Sequence, residues 1–168
     1  MPSINFNSLD KKLHERPHFK QASDKDLFYW GKDVLSRDQY IHKNAFKPLK
    51  QMIADAKSEG VILEVLSIYR SYEYQEALIS RHLDTGKTLE QIVKKVAIPG
   101  YSEHHTGLAI DFTTPDEDGL VTEAFEQTSA FVWLHKNAND YGFYMSYPRD
   151  NLQGMIYEPW HWCLKQYI

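Results

Sequence analysis

From Asn44 onward the apolar residues Ala45, Phe46, Leu49, Met52, Ile53 and Ala56 recur at helical spacing. Asn44 is suited to cap the start of that helix and Gly60 to stop it. The next segment, Val61 to Ile68, is short, β-branched and apolar with a single charge, which predicts a buried strand running directly into Tyr69-Arg70-Ser71. A second helix is expected to begin at Ser71. Thr88-Leu89-Glu90-Gln91 has the form of a capping box, and the short helix it opens must end before Pro99-Gly100. Gly107 to Thr113 and Tyr157 to Leu164 read as further strands, with a helix from about Thr128 to Asn139 between them that stops near Gly142. The first forty residues show little periodicity, apart from the cluster Leu27-Phe28-Tyr29-Trp30, which is expected to cover an edge of the core.

Strands and helices that mix without strict alternation predict an α+β fold, a small and mostly antiparallel sheet packed with helices. No repeat, low-complexity tract or flexible linker interrupts the pattern, so residues 1–168 read as one domain. Within it, 44–168 form the expected core and 1–43 an extension packed against it. The composition, 42% hydrophobic and 25% charged over 168 residues, agrees with a single globular unit. With 23 acidic and 19 basic residues the net charge is −4, which argues against a nucleic-acid partner. No apolar run approaches the ~18 residues of a membrane span or supplies a signal-peptide core, so the expected location is the cytoplasm, with no membrane partner. The lone cysteine, Cys163, reads as a small packed hydrophobe.

Eight histidines occur, and spacing separates them. Ser102-Glu103-His104-His105-Thr106-Gly107-Leu108-Ala109-Ile110-Asp111 sets an imidazole and a carboxylate seven residues apart, with small residues between them where other groups must approach closely. If Gly107 to Asp111 is extended, Gly107, Ala109 and Asp111 share one face. Glu158-Pro159-Trp160-His161 adds a second carboxylate and imidazole, and Pro159 interrupts the ladder so that both can turn toward one point. Two His and one Asp suit a catalytic zinc ion with an open fourth position, and Glu158 is then left over as the base that a zinc hydrolase requires. From the residues alone the alternative stays open: a strand whose polar side chains face solvent.

His104-x-x-Gly107-x-Ala109-x-Asp111, preceded by Ser102 and followed by Glu158-x-x-His161, resembles the signature of the VanY-type carboxypeptidases, zinc peptidases that trim D-amino acids from peptidoglycan stem peptides and share a hedgehog-like fold. Tyr69-Arg70-Ser71-Tyr72-Glu73-Tyr74-Gln75, Pro99 to His104, Tyr141-Gly142-Phe143 and Tyr147-Pro148 extend the resemblance over roughly 44–164. It implies zinc held by His104, Asp111 and His161, with Glu158 as catalytic base. It implies that Arg70 contacts the substrate, and that Gln75, Ser102 and Tyr147 hold the substrate's end. Cys163 stands where the family often has an arginine.

Each of these residues also has a structural alternative. Arg70 suits an oxyanion or a terminal carboxylate, or else an ion pair with Glu73. Ser102 can cap the turn before His104 or bind substrate, and Gln75 can reach the pocket or solvate a helix end. Trp160 and Trp162 are expected to pack behind the site, His105 to point away from the metal, and His14, His18, His42, His82 and His135 to lie at the surface. The expected activity is zinc-dependent L,D-carboxypeptidase action on peptidoglycan tetrapeptides by a monomer. The alternatives are a D,D-carboxypeptidase, an L-alanyl-D-glutamate endopeptidase and a non-catalytic zinc-bearing binding domain.

Overall fold

The computed structural model describes residues 4–115 and 121–165. The chain runs through a short helix α1 (Lys11–His14), a hairpin of β1 (Leu27–Lys32) and β2 (Asp38–His42), then α2 (Lys43–Ser58) and β3 (Glu64–Ser67). It continues through α3 (Tyr72–Asp84), α4 (Leu89–Ile92), β4 (Ala109–Thr113), α5 (Ser129–Asn137), β5 (Phe143–Met145) and β6 (His161–Leu164). Strands β3, β4, β6 and β5 lie side by side in that order and pair antiparallel throughout. This is the α+β architecture that the pattern of elements predicts. Among the described residues no helix is long and apolar enough to cross a membrane.

Local chemistry explains where the elements begin and end. Ser71 caps α3 by accepting from the Tyr74 amide, and Thr88 and Gln91 close both halves of the expected capping box on α4. Helix α2 carries the apolar stripe Ala45, Leu49, Met52 and Ala56, all fully buried against the sheet together with Ile110, Phe112 and Trp162. Its cap is not Asn44. His42 Nδ1 accepts from the Asn44 amide at 3.2 Å, so the cap lies two residues earlier and the helix begins at Lys43. His42 is therefore half-buried rather than a surface residue, and His82 is half-buried too, whereas His18 and His135 are exposed; the side chain of His14 lies outside the described residues.

The strands are shorter than the apolar runs imply. Of Val61 to Ile68 only Glu64–Ser67 pairs, and of Tyr157 to Leu164 only His161–Leu164. Apolar burial extends beyond the ladder, and periodicity does not mark where hydrogen bonding stops. Gly107 is not extended: its φ is +69° and it ends the turn Glu103–Thr106. The face expected of Gly107, Ala109 and Asp111 reduces to Ala109 and Asp111. The close approach expected at Gly107 does occur, because its carbonyl accepts from the His42 amide at 2.9 Å and a Cβ there would lie 2.9 Å from that nitrogen.

The hairpin is the element the sequence pattern misses. Leu27 to Trp30 belong to β1, and the hairpin is bonded to the body of the fold: Tyr69 donates to the Tyr40 carbonyl, and the Gln39 side chain accepts from the Ile68 amide at 2.8 Å. Upstream, Leu9 packs with Ile79, Ile92, Val93 and Ile98 in a second apolar cluster that seats α3 and α4 beside the sheet.

Candidate metal centre and active site

Asp111 and His161 face each other across β4 and β6. Phe112 donates to the Trp160 carbonyl at 2.9 Å, so the pair occupies a non-hydrogen-bonded position, where side chains of antiparallel strands approach most closely. His161 Nδ1 lies 3.0 Å from one oxygen of Asp111. The third member arrives from outside the sheet. Ser102 accepts from the His104 amide and starts the turn Glu103–Thr106, which brings His104 Nε2 to 3.1 Å from the other oxygen of Asp111. Ligand atoms of His104, Asp111 and His161 then all lie within 4.8 Å of one another, and all three residues are buried.

The hydrogen bonds set the tautomers of this cluster. His104 Nδ1 donates to the Ile68 carbonyl, so its Nε2 carries a lone pair, and that buried atom has no hydrogen-bond partner. Burial and the nearby Arg70 lower the His104 pKa to about 4 and keep the ring neutral. His161 Nε2 lies 2.8 Å from Glu103, which orients its Nδ1 toward Asp111. Burial opposes charge on His161, yet the hydrogen bonds and charges of Asp111 and Glu103 outweigh it and raise its pKa to about 10. A lone pair aimed at a carboxylate, next to an imidazole held cationic by two more carboxylate oxygens, is a site that requires positive charge at its centre. A divalent cation supplies it, and two imidazoles with one carboxylate form a zinc donor set.

Around this centre the structure assembles most of the other expected residues. Glu158 Oε2 lies 3.9 Å from His161 Nδ1. Burial is the first cause of a Glu158 pKa raised to about 8; His161 and Arg70 pull it down, Asp111 and Glu103 push it up. Arg70 places Nη2 3.6 Å from Asp111, and its buried Nε has no partner. The alternative pairing with Glu73 does not form, because Glu73 is exposed at the start of α3 beside Ser71. Tyr147 lies against the His161 ring with centroids 4.7 Å apart. Gln75 is buried: its Nε2 donates to the Ala97 carbonyl at 2.7 Å while its Oε1 has no partner. It does not solvate the helix end. Ser102 is also buried, and its capping role leaves the hydroxyl hydrogen free. Trp160, Trp162 and Cys163 are packed in the core.

One residue that the sequence reading does not single out completes the arrangement. Glu103 is buried and accepts from Ser146 at 2.6 Å and from Tyr144 at 3.2 Å, besides contacting His161. His105 points away from the metal cluster, as expected, but it is not idle. Its Nδ1 donates to the Arg70 carbonyl at 2.7 Å and its Nε2 accepts from the Gly100 amide at 3.1 Å, fixing the backbone that carries Arg70. The only sequence signal for Glu103 is its place between Ser102 and His104; a charged residue in a turn ordinarily reads as solvated.

On one side the cluster borders a small pocket of about 30 Å³ lined by Arg70, Gln75, Ser102, Tyr147, Met155 and Glu158. On the other, Arg70, Asp111 and Glu158 border an open groove of about 550 Å³.

Comparison with known proteins agrees with this geometry. The family model described as VanY: D-alanyl-D-alanine carboxypeptidase matches residues 38–166. YodJ of Bacillus subtilis (strain 168) is 38% identical over 162 residues, which cover 94% of this chain and 59% of that protein. The chain thus spans less than two thirds of that relative's length. Among solved structures, that of the LdcB LD-carboxypeptidase superposes with a TM-score of 0.74 at 34% identity, covering 88% of this chain and 71% of the other. A mutant of the vancomycin-resistance D,D-pentapeptidase VanY in complex with Zn(II) superposes with a TM-score of 0.67 at 26% identity, covering 89% of this chain and 84% of the other. Zinc is accordingly the metal that fits His104, Asp111 and His161, and the chain belongs to the VanY D-alanyl-D-alanine carboxypeptidase family.

Proposed function

We propose that the protein is a zinc-dependent L,D-carboxypeptidase that removes the terminal D-alanine from peptidoglycan tetrapeptides. One observation carries the exopeptidase reading: the donor cluster and Glu158 stand between a cavity of about 30 Å³ and an open groove of about 550 Å³. A space of the smaller size accepts a methyl-sized side chain such as alanine's and excludes larger ones, while the groove leaves room for the rest of a peptide.

Zinc held by His104, Asp111 and His161 acts as a Lewis acid when bound, polarising the scissile carbonyl and acidifying water. Glu158 takes a proton from the attacking water as the oxygen–carbon bond forms. It returns that proton to the leaving amine as the carbon–nitrogen bond breaks, so one water is consumed and one amine and one carboxylate are released. Burial raises the affinity of the Glu158 carboxyl for a proton, which suits a group that must take one up and give it back. The unpartnered Nε of Arg70 and its Nη2 form a planar donor fork at the mouth of the cavity, placed to stabilise the carbonyl oxygen as it becomes negative. The free hydroxyl hydrogen of Ser102 and the Tyr147 side chain line the small pocket, where they can hold the terminal carboxylate. Gln75 Oε1 is an unused acceptor on the same wall.

The L,D preference rests on the likeness to the LdcB LD-carboxypeptidase, the more similar of the two structures compared. A D,D preference has its own support in the Zn(II)-bound D,D-pentapeptidase. Mass spectrometry of a mixture of tri-, tetra- and pentapeptide stem fragments after incubation with the zinc-loaded protein separates them. The expected result is conversion of tetrapeptide to tripeptide with pentapeptide spared. Shortening of the pentapeptide alone would establish D,D specificity, and an unchanged mixture would overturn the peptidase reading.

A further inference from the structure

Among the described residues, the open groove beyond Arg70 and Glu158 is lined by more cationic side chains (Arg37, Arg70, Lys87 and Lys95) than carboxylates (Asp111 and Glu158). Lys87 and Lys95 line it together with His82, from the last turn of α3. Arg81 stands beside them with its guanidinium over the ring of Tyr74, 5.4 Å from the centroid, and Tyr74 is itself part of the groove wall. Lys95 also borders the small pocket, so the strip of cations begins at the reacting centre and runs outward along the groove.

Several basic residues of the chain are matched by carboxylates. Arg37 pairs with Asp33 at 2.7 Å, Lys43 with Asp26 at 2.6 Å and Arg149 with Glu126 at 2.9 Å. Among the described residues, Arg81, Lys87 and Lys95 enter no ion pair. His82 is depressed by burial and then by the charges of Lys87, Arg81 and Lys95, with no carboxylate acting against them. In a chain of net charge −4, a groove wall with this excess of cations, two of them lysines outside any ion pair, creates a local field that attracts anions. Its two lysines are also held at a defined separation. Lys87 immediately precedes the Thr88 cap of α4 and Lys95 lies three residues past its end, and the first turn is locked by the Thr88–Gln91 capping box.

We propose that Lys87 and Lys95 form a subsite for a carboxylate that the substrate carries on the acyl side of the scissile bond, so that the preferred substrate is an acidic peptide. This inference rests on the carboxypeptidase reading, which puts the leaving residue on the side of the small pocket and leaves the groove as the path for the rest of the peptide. Leu78, Val96 and Ile156 on the same walls provide apolar contact for the peptide's stem, which matches a peptide better than a small inorganic anion.

The test uses two tetrapeptides ending in D-alanine that differ in one group, a glutamyl carboxylate on the acyl side or its carboxamide. Each is given to the zinc-loaded wild type and to the Lys87→Gln/Lys95→Gln double variant. Both lysines are exposed, so the variant is expected to fold, and a thermal melt checks this. The quantity read is the ratio of kcat/KM for acid over amide. It is expected to be about five- to tenfold in the wild type, carried by KM, to fall with added salt, and to drop toward one in the double variant. Equal ratios in the two proteins would overturn the subsite. If the wild type cleaves neither peptide, the carboxypeptidase reading fails separately, and calorimetric titration of the same two peptides decides the subsite. Preferential binding of the acid that the double variant loses supports it, and its absence overturns it.

Discussion

The Nε2 of His161 donates to Glu103 at 2.8 Å, and this bond turns the other ring nitrogen toward Asp111 and the metal position. Glu103 is in turn held by Ser146 and Tyr144, so a buried carboxylate with three partners sets the tautomer of a zinc ligand. Glu103→Ala is expected to weaken zinc binding about 10- to 100-fold, read by competition with a chromophoric chelator. Glu103→Gln, which keeps an acceptor, should recover part of that loss. Wild-type affinity in the alanine variant would show that Glu103 does not position His161.

Three buried donors arranged around a centre that requires positive charge make zinc binding part of stability as well as chemistry. At zinc concentrations about a thousandfold above its dissociation constant, binding adds roughly 4 kcal/mol to the folded state. For a chain of this size that corresponds to a rise of roughly 8–16 °C in Tm, reversed by chelator. A melt unaffected by zinc and chelator would contradict the assignment of His104, Asp111 and His161.

Glu158 is close to the metal position without being part of the donor cluster. Glu158→Gln is therefore expected to retain stoichiometric zinc while turnover falls by about 10²- to 10⁴-fold. Metal analysis and steady-state rates on the same preparation check both halves, and full activity would remove Glu158 from its role as base.

Arg70 separates two kinetic outcomes. As an oxyanion donor, its replacement in Arg70→Ala should lower kcat about a hundredfold to a thousandfold with little change in KM; as a carboxylate clamp, KM should rise as well. The first is expected. Arg70→Lys should rescue only part of the rate, because it restores the charge without the planar fork.

His105 acts on the same residue through the backbone. His105→Ala leaves the Arg70 carbonyl and the Gly100 amide without their partner, at a cost of about 1–3 kcal/mol for each buried group left unpaired. If its effect on rate operates through Arg70, the His105→Ala and Arg70→Ala losses in kcat will be less than additive in the double variant. Fully additive losses would show that His105 acts by another route.

Much of this protein is legible in the sequence, and the reason is local. Ser71, Thr88 and Gln91 act within a few residues of themselves, so the starts of α3 and α4 can be read from spacing alone. The apolar stripe of α2 and the identities of the metal donors are likewise written in short segments, because a helix face and a ligand motif each repeat over a few residues. Tertiary structure decided what depends on distant partners. His42 caps α2, in place of Asn44, because the hairpin delivers it there, with its amide bonded to Gly107 far along the chain. Gly107 left the strand because its carbonyl and missing Cβ accommodate that same approach. Glu103 and His105 read as ordinary turn residues until the fold buries them against Ser146, Tyr144 and the carbonyl of Arg70. A buried charge has meaning only through partners that sequence spacing does not bring together, and here those partners lie 35 to 58 residues away.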